Sequence, residues 1–293
     1  MPGVMRVRVW DVEHGACAMV QHVTPTLAGD VGGRLAMIDS GDTHDWTPAG
    51  YITRTLGRYQ LDYLFITNAD QDHMSGLQGL WDAGINVPVM HHNPTFGPQA
   101  FESVKRQGGP LTRDAQRYLQ NLGTFTAPIQ NPFNTSMGGI TATMFYNTWP
   151  QFQTTNDLSL IVFIKFGTFG ILFPGDLEGP GWRNQLLDPS FRAMLADVDV
   201  LVASHHGRDN GYCEDIFAYC RPQAVVMSDK AIVHDTQNTV QLYRNQVMKN
   251  HPNGVFVRTS ARNRHVLTTR RDGWIQFEVD DQGRFHIETE YQG

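Results

Sequence analysis

Cysteine is scarce in this 293-residue chain, and Cys17, Cys213 and Cys220 form no CxxC pair. An odd number without paired spacing argues against a disulfide framework, so the three read as packing residues in a reducing cytoplasm. Basic charge is not in excess either. Lys and Arg number 23 against 29 Asp and Glu, a formal charge of −6, so the surface as a whole does not attract a polyanion and any nucleic-acid site must be local. A signal-peptide core is missing, because Arg6 and Arg8 interrupt the only hydrophobic stretch near the start. Nor is there a bilayer-length apolar run. LSLIVFIKFGTFGILF, Leu158 to Phe173, carries Lys165 and two glycines and falls short of the roughly 20 apolar residues a spanning helix needs. The expectation is a soluble, cytoplasmic protein with no membrane association.

What is present is the pattern of a globular α/β protein, with 41% hydrophobic and 18% charged residues. Strand signals crowd the first forty residues: Met5 to Val12 alternates, Ala16 to Gln21 is short and apolar, and RLAMID runs into the turn Ser40-Gly41. A helix over Ala49 to Tyr59, a strand over Leu61 to Thr67, a helix from about Ser75 to Ala83 and a strand over Val87 to His91 follow. Residues 93–139 read as an insertion around one amphipathic helix, Arg113 to Leu122, and as a candidate lid or dimer surface. Strands are then expected at Ile140 to Tyr146, Leu158 to Phe166 and Gly170 to Pro174, and helices at Trp182 to Leu187 and Phe191 to Leu195. Strand Val198 to Ser204, helix Glu214 to Tyr219, strand Gln223 to Ser228 and helix Thr239 to Lys249 restore the alternation. The end, GVFVRT and HVLTTRRDGWIQFEVDDQGRFHIETE, is strand again, with DG and QG turns. Two halves of this kind suggest two sheets with helices outside, in a single domain spanning 1–293.

Three apolar strands end in acidic or imidazole side chains. ITNADQDHMSGL places Asp70, Asp72 and His73 after the first, GILFPGD places Asp176 after the second, and VDVLVASHHG places His205 and His206 after the third. Neighbouring strand ends in a layered α/β protein share one sheet edge, so these groups can converge on a divalent cation. Each has a plainer reading taken singly. Asp70 and Asp72 could cap the next helix, Asp176 could be a turn residue, and the two histidines a half-exposed strand end. Three such endings together favour a metal.

The order DVxxGxA (Asp11 onward), IDSG, TxxDxDHxxGL, NxxSL…GD and SHHG resembles the metallo-β-lactamase fold, and within it the soluble hydrolase domain of the bacterial DNA-uptake protein ComEC. The likeness runs along nearly the whole chain outside the insertion. It implies a four-layer αββα sandwich with Zn or Mn, one or two ions, at the sheet edge. Asp72 and His73 would be ligands of one metal, Asp176 would bridge or complete the site, Asp70 would join it, and His206 would add an imidazole while His205 faces substrate. Asn68 stands where many relatives carry the first histidine. No histidine lies between His92 and His205, so Asn156 or Asp157 stands in for the one many relatives place before the GD aspartate, and Asn68 and Asn156 are assigned to substrate.

Such an ion lowers the pKa of bound water from about 16 toward 7, with Asp72 or Asp70 orienting the resulting hydroxide and His205 neutralising charge on substrate oxygens. The ComEC likeness points to a phosphodiesterase or nuclease acting on DNA or a nucleotide. A local feature points the same way: Arg258, Arg262, Arg264, His265, Arg270 and Arg271 fall within fourteen residues, a phosphate-binding patch unless they are simply solvated on a hairpin. His234, in IVHDTQN, is placed near the substrate. Two other classes stay open: an interaction protein that kept the fold and lost activity, with a protein partner in place of a substrate, and a small-molecule lactonase or thioesterase.

Overall fold

A computed structural model describes residues 3–105, 108–126, 133, 135–230 and 238–292. Two sheets pack face to face. The nine-stranded sheet takes β1 (Val4–Val9), β2 (Ala18–Thr26), β3 (Gly29–Ile38), β4 (Tyr63–Phe65) and β5 (Met90–His91) from the N-terminal part. From the C-terminal part it takes β11 (Val255–Val257), β12 (Arg262–Arg264), β14 (Ile275–Val279) and β15 (Phe285–Thr289), in the order β12-β11-β15-β14-β1-β2-β3-β4-β5. The six-stranded sheet holds β6 (Thr141–Tyr146), β7 (Leu160–Phe166), β8 (Phe169–Phe173), β9 (Val200–Val202), β10 (Ala224–Met227) and β13 (Val266–Thr268), in the order β13-β10-β9-β8-β7-β6. The ends of the chain meet where β14 pairs antiparallel with β1, Val7 opposite Phe277.

Alternation along each strand decides what lies between the sheets. Met5, Val7, Tyr63 and Phe65 of one sheet meet Leu160, Val162, Ile164 and Val226 of the other in a common core. The intervening residues Leu64 of β4 and Ile161 and Phe163 of β7 are apolar too, because helices cover the outer faces there, whereas β1 carries Arg6 and Arg8. That is why LIVFI, the first five residues of β7, reads as an unbroken hydrophobic run. Outside the nine-stranded sheet lie α1 (Pro48–Gly50, continued by a wider helical turn over Tyr51–Thr55), α2 (Gln71–Met74), α3 (Leu77–Asp82), α4 (Pro98–Lys105) and α5 (Arg113–Thr124). Outside the six-stranded sheet lie α6 (Gly179–Gln185), α7 (Pro189–Leu195) and α8 (Val240–Asn250). This is the αββα arrangement expected. Fully burying one Phe or Leu contributes about 1.5–3 kcal/mol, so Phe65, Phe169 and Phe277, all closed to solvent, anchor the interface. The three cysteines are buried and unpaired, as their spacing indicated. Among the described residues no helix is long and apolar enough to cross a membrane.

Four local expectations need correction. The helix placed at Ser75 begins at Gln71 and breaks at Ser75-Gly76, so Asp72 and His73 lie on a helical turn rather than in a loop. The break is enforced by proximity: the Gly76 N–H donates to Ser40 O at 2.8 Å, and a Cβ there would sit 2.8 Å from that oxygen. The insertion is not a detached flap over its described part, because Phe101 of α4 and Tyr118 and Leu122 of α5 pack into the outer core with Leu77 and Leu80 of α3. Residues 214–219 give only a short 3-10 turn, Glu214–Ala218. Finally, the DG turn does not close a hairpin: α9 (Thr269–Asp272) carries the segment HVLTTRRDGWIQF from β13 in one sheet to β14 in the other.

Candidate metal centre

Asp72, His73, Asp176 and His206 converge, and one ligand atom from each lies within 4.8 Å of all the others. They come from three strand ends: β4 leads into α2, β8 into the Gly175-Asp176 turn, and β9 into the His205-His206 turn. The two sheets thus each contribute half of the group.

The two histidines are held from behind. Asp39, just past β3, accepts hydrogen bonds from Thr67 N (2.7 Å), Thr67 Oγ1 (2.6 Å) and His73 Nδ1 (2.9 Å). With Nδ1 carrying that proton, His73 Nε2 faces Asp176 Oδ1 at 3.0 Å. His206 Nδ1 donates to the Ser228 carbonyl at 2.8 Å. A carbonyl can only accept, so Nδ1 carries a proton and, in the neutral ring, the lone pair sits on Nε2. That atom is buried without a hydrogen bond, 3.3 Å from Asp72 Oδ2 and 3.5 Å from Asp176 Oδ1.

Backbone geometry aims the side chains. Gly175 is left-handed (φ 61°), and a Cβ there would meet Ser159 Oγ at 2.9 Å and Thr67 Oγ1 at 3.0 Å. His205 and His206 also hold positive φ, 50° and 54°, a conformation costing non-glycine residues about 1–2 kcal/mol each. The turn is pinned to the Asp176 loop by His205 N–H to Gly175 O (3.1 Å) and Ser204 Oγ to Leu177 O (2.5 Å).

Electrostatics mark a site that demands positive charge. Burial would raise the Asp176 carboxyl, but the His73 and His206 imidazoles outweigh it and bring it down to about 2. Burial of Asp72 is likewise outweighed, chiefly by His206 and His73, and its carboxyl falls well below the usual range. In the other direction, burial disfavours charge on His73 and His206, yet Asp176 with Asp39 raises the first and Asp176 with Asp72 raises the second. Two carboxylates and two imidazoles therefore compete for protons that one divalent cation could replace. The donor set suits such a cation: nitrogen and oxygen ligands, an orphaned buried lone pair, and an adjoining cavity of about 30 Å³.

The other predicted residues are placed as follows. Asp70 is not in the group; its carboxylate is engaged by Lys105 Nζ of the insertion and by Thr155 Oγ1 at 2.9 Å. Asn68 and Asn156, expected at the substrate, bond to each other (3.1 Å), and Asn156 also donates to Glu178 (2.8 Å). The Asn68 carbonyl closes a turn onto Asp70 N. Asp157 is also outside the group, its oxygens taken by Gly181 N and Thr154 Oγ1. His205 stands beside it, with Nε2 3.8 Å from Asp176 Oδ2 and Nδ1 3.6 Å from Glu178, and burial lowers its pKa. The arginine patch is not a cluster of free cations: Arg264 is bidentate to Asp272, Arg270 is paired with Asp229, and Arg258 lies 3.9 Å from Glu288. His234 lies outside the described residues.

Sequence reasoning did not nominate Asp39 or His14. Asp39 sits within IDSG, a stretch too short to stand out. His14 follows β1, lies tilted against His206 (ring centroids 4.8 Å apart) and stands 3.8 Å from Asp72 Oδ2. Burial, His206 and Arg208 lower its pKa to about 4 against the pull of Asp72. A lone histidine after DVE carried no signal beyond its proximity to the motif.

Residues 23–205, more than half of the chain, match the model of the metallo-beta-lactamase superfamily. ComE operon protein 3 of Bacillus subtilis (strain 168) is 22% identical over 245 residues, covering 80% of this chain and 27% of its own length. Two solved structures are similar in part: CmlA, a diiron β-hydroxylase from Streptomyces venezuelae (TM-score 0.46, 14% identity, 85% of this chain and 52% of that one), and a long-form RNase Z from yeast (TM-score 0.40, 9% identity, 79% and 38%). The chain spans about a quarter of the curated relative it matches and about half of the hydroxylase. With the family model matched over more than half of its length, this chain belongs to the metallo-β-lactamase superfamily.

Proposed function

We propose that the protein is a metal-dependent hydrolase with a phosphodiester substrate, DNA or a nucleotide. The observation that supports this most is the four-residue group itself, with His206 Nε2 buried and without a hydrogen bond between two carboxylates. Asp72, His73, Asp176 and His206 would hold one divalent cation, Zn or Mn. Bound there, the ion would supply Lewis acidity, polarising a substrate oxygen and acidifying nearby water. The chain's own groups do the rest. Asp39 and the Ser228 carbonyl fix the tautomers of His73 and His206. His205, held neutral by burial and standing 3.8 Å from Asp176, is positioned to exchange a proton with the attacking or departing oxygen. The phosphodiester assignment draws on the partial likeness to ComE operon protein 3 and is the finer part of the reading.

The test is metal analysis of purified protein followed by hydrolysis of an activated phosphodiester and of single-stranded DNA with added Mn or Zn. One equivalent of metal and turnover abolished by Asp176→Ala are expected. Metal-free, inert protein under all those conditions would refute the hydrolase and leave an interaction protein. Turnover of esters with no action on phosphodiesters would point instead to a lactonase or thioesterase.

A further inference from the structure

Arg208 follows the His205-His206-Gly207 turn directly, and its backbone N–H donates to His205 O at 2.9 Å. Its guanidinium Nη2 lies 2.8 Å from His14 Nε2. Arginine has no lone pair to offer, so the imidazole nitrogen accepts and His14 carries its proton on Nδ1. Because the His14 ring lies tilted against His206, with centroids 4.8 Å apart, this bond holds the guanidinium at the edge of the four-residue group.

Several arginines are neutralised by acids, while Arg8, Arg117 and Arg192 bond neutral oxygens; Arg208 differs from both sets in standing beside the four-residue group. Arg6 pairs with Glu278 and Asp30, Arg58 with Asp62, Arg264 with Asp272 and Arg270 with Asp229. Arg208 is half-buried, and among the described residues its side chain has no carboxylate partner and one hydrogen bond, to a neutral ring. Holding a guanidinium out of bulk water beside an imidazole is costly unless an anion completes it. The unused part of its planar fork suits two oxygens of one phosphate.

We propose that Arg208, aimed by its hydrogen bond to His14, binds the non-bridging oxygens of a phosphodiester presented to the Asp72–His73–Asp176–His206 group. This names the substrate-recognising residue for the hydrolase reading above and rests on that reading for its site.

The experiment compares binding of two ten-nucleotide thymidine oligomers to the full chain in EDTA at low salt, by fluorescence anisotropy. One has ordinary phosphodiester links and the other uncharged methylphosphonate links. Wild type is expected to prefer the charged oligomer. Arg208→Gln should weaken that binding about tenfold or more and abolish the preference, as loss of a charged hydrogen-bond pair implies. Arg208→Lys, which keeps the charge and loses the fork, should fall between. Circular dichroism and metal content serve as folding controls, and the lysine variant carries the test if the glutamine variant does not fold. Charged-oligomer binding unchanged in both folded variants, or in Arg208→Lys alone where only it folds, would overturn the proposal. The two readings fail separately: a wild-type protein that leaves the oligomer intact with every metal tried defeats the hydrolase, whereas unaltered binding by the variants defeats the role of Arg208.

Discussion

Replacing Asp39 by Asn tests the architecture behind the metal centre without touching a ligand. Asn tolerates the left-handed backbone that Asp39 adopts (φ 59°) better than other residues do, so the change isolates chemistry from strain. The carboxylate accepts three hydrogen bonds, from Thr67 N, Thr67 Oγ1 and His73 Nδ1, and it is 2% exposed. An amide offers one acceptor oxygen and turns an NH₂ group toward a donor. One buried donor is left unsatisfied, costing about 1–3 kcal/mol. If the loser is His73 Nδ1, the imidazole is no longer fixed, and losing such a partner lowers metal affinity about 10–100-fold, or about 1.4–2.7 kcal/mol. The two figures agree in size, so the drop in urea stability in EDTA and the drop in Zn affinity, read by competition with a chromophoric chelator, should be comparable. Thr67→Val is the control. It removes only the hydroxyl donor and should cost about 1 kcal/mol of stability while leaving affinity nearly unchanged. A folded Asp39→Asn protein that binds Zn as tightly as wild type would refute the reasoning.

Two further outcomes are expected. Asp70→Asn should leave Zn affinity nearly unchanged, since its carboxylate is engaged by Lys105 and Thr155, while Asp72→Asn should weaken it more than Asp39→Asn does; the same chelator competition decides, and equal losses at Asp70 and Asp72 would put Asp70 back among the ligands. His91, whose pKa burial and His92 bring down to about 4, stacks on Phe65 at 5.2 Å. Its folded pKa lies below the unfolded value, so its neutral form favours folding above pH 6.5 and that contribution is lost as pH falls through 6.5 toward 4. Urea midpoints at pH 7.0 and 4.5 should show His91→Gln losing about 2–3 kcal/mol less than wild type over that interval.

The strand-end groups were legible because ligand chemistry follows directly on apolar runs: Asp72-His73, Asp176 and His206 each stand a few residues beyond β4, β8 and β9. The layered fold was legible for a related reason, since β7 can be apolar on both sides only if something covers both. What depends on distant partners was not. Asp70 looks like a third carboxylate of the group until Lys105, thirty-five residues away, reaches it. The C-terminal arginines look like a patch until Asp229, Asp272 and Glu288 are seen beside them. The start of α2 at Gln71 is set by contacts with Ser40 and Ala16 across the sheet edge, and residue type in that window gives no hint of them.

Asp72 and His73 follow a strand of the nine-stranded sheet, whereas Asp176 and His206 follow strands of the six-stranded one. A cation shared among them would therefore act as a cross-brace between the two halves of the sandwich. Its retention then depends on how firmly the halves are registered, and its binding energy adds to the folded state by mass action. Damage to the shared core, far from any ligand, should release metal before the protein unfolds.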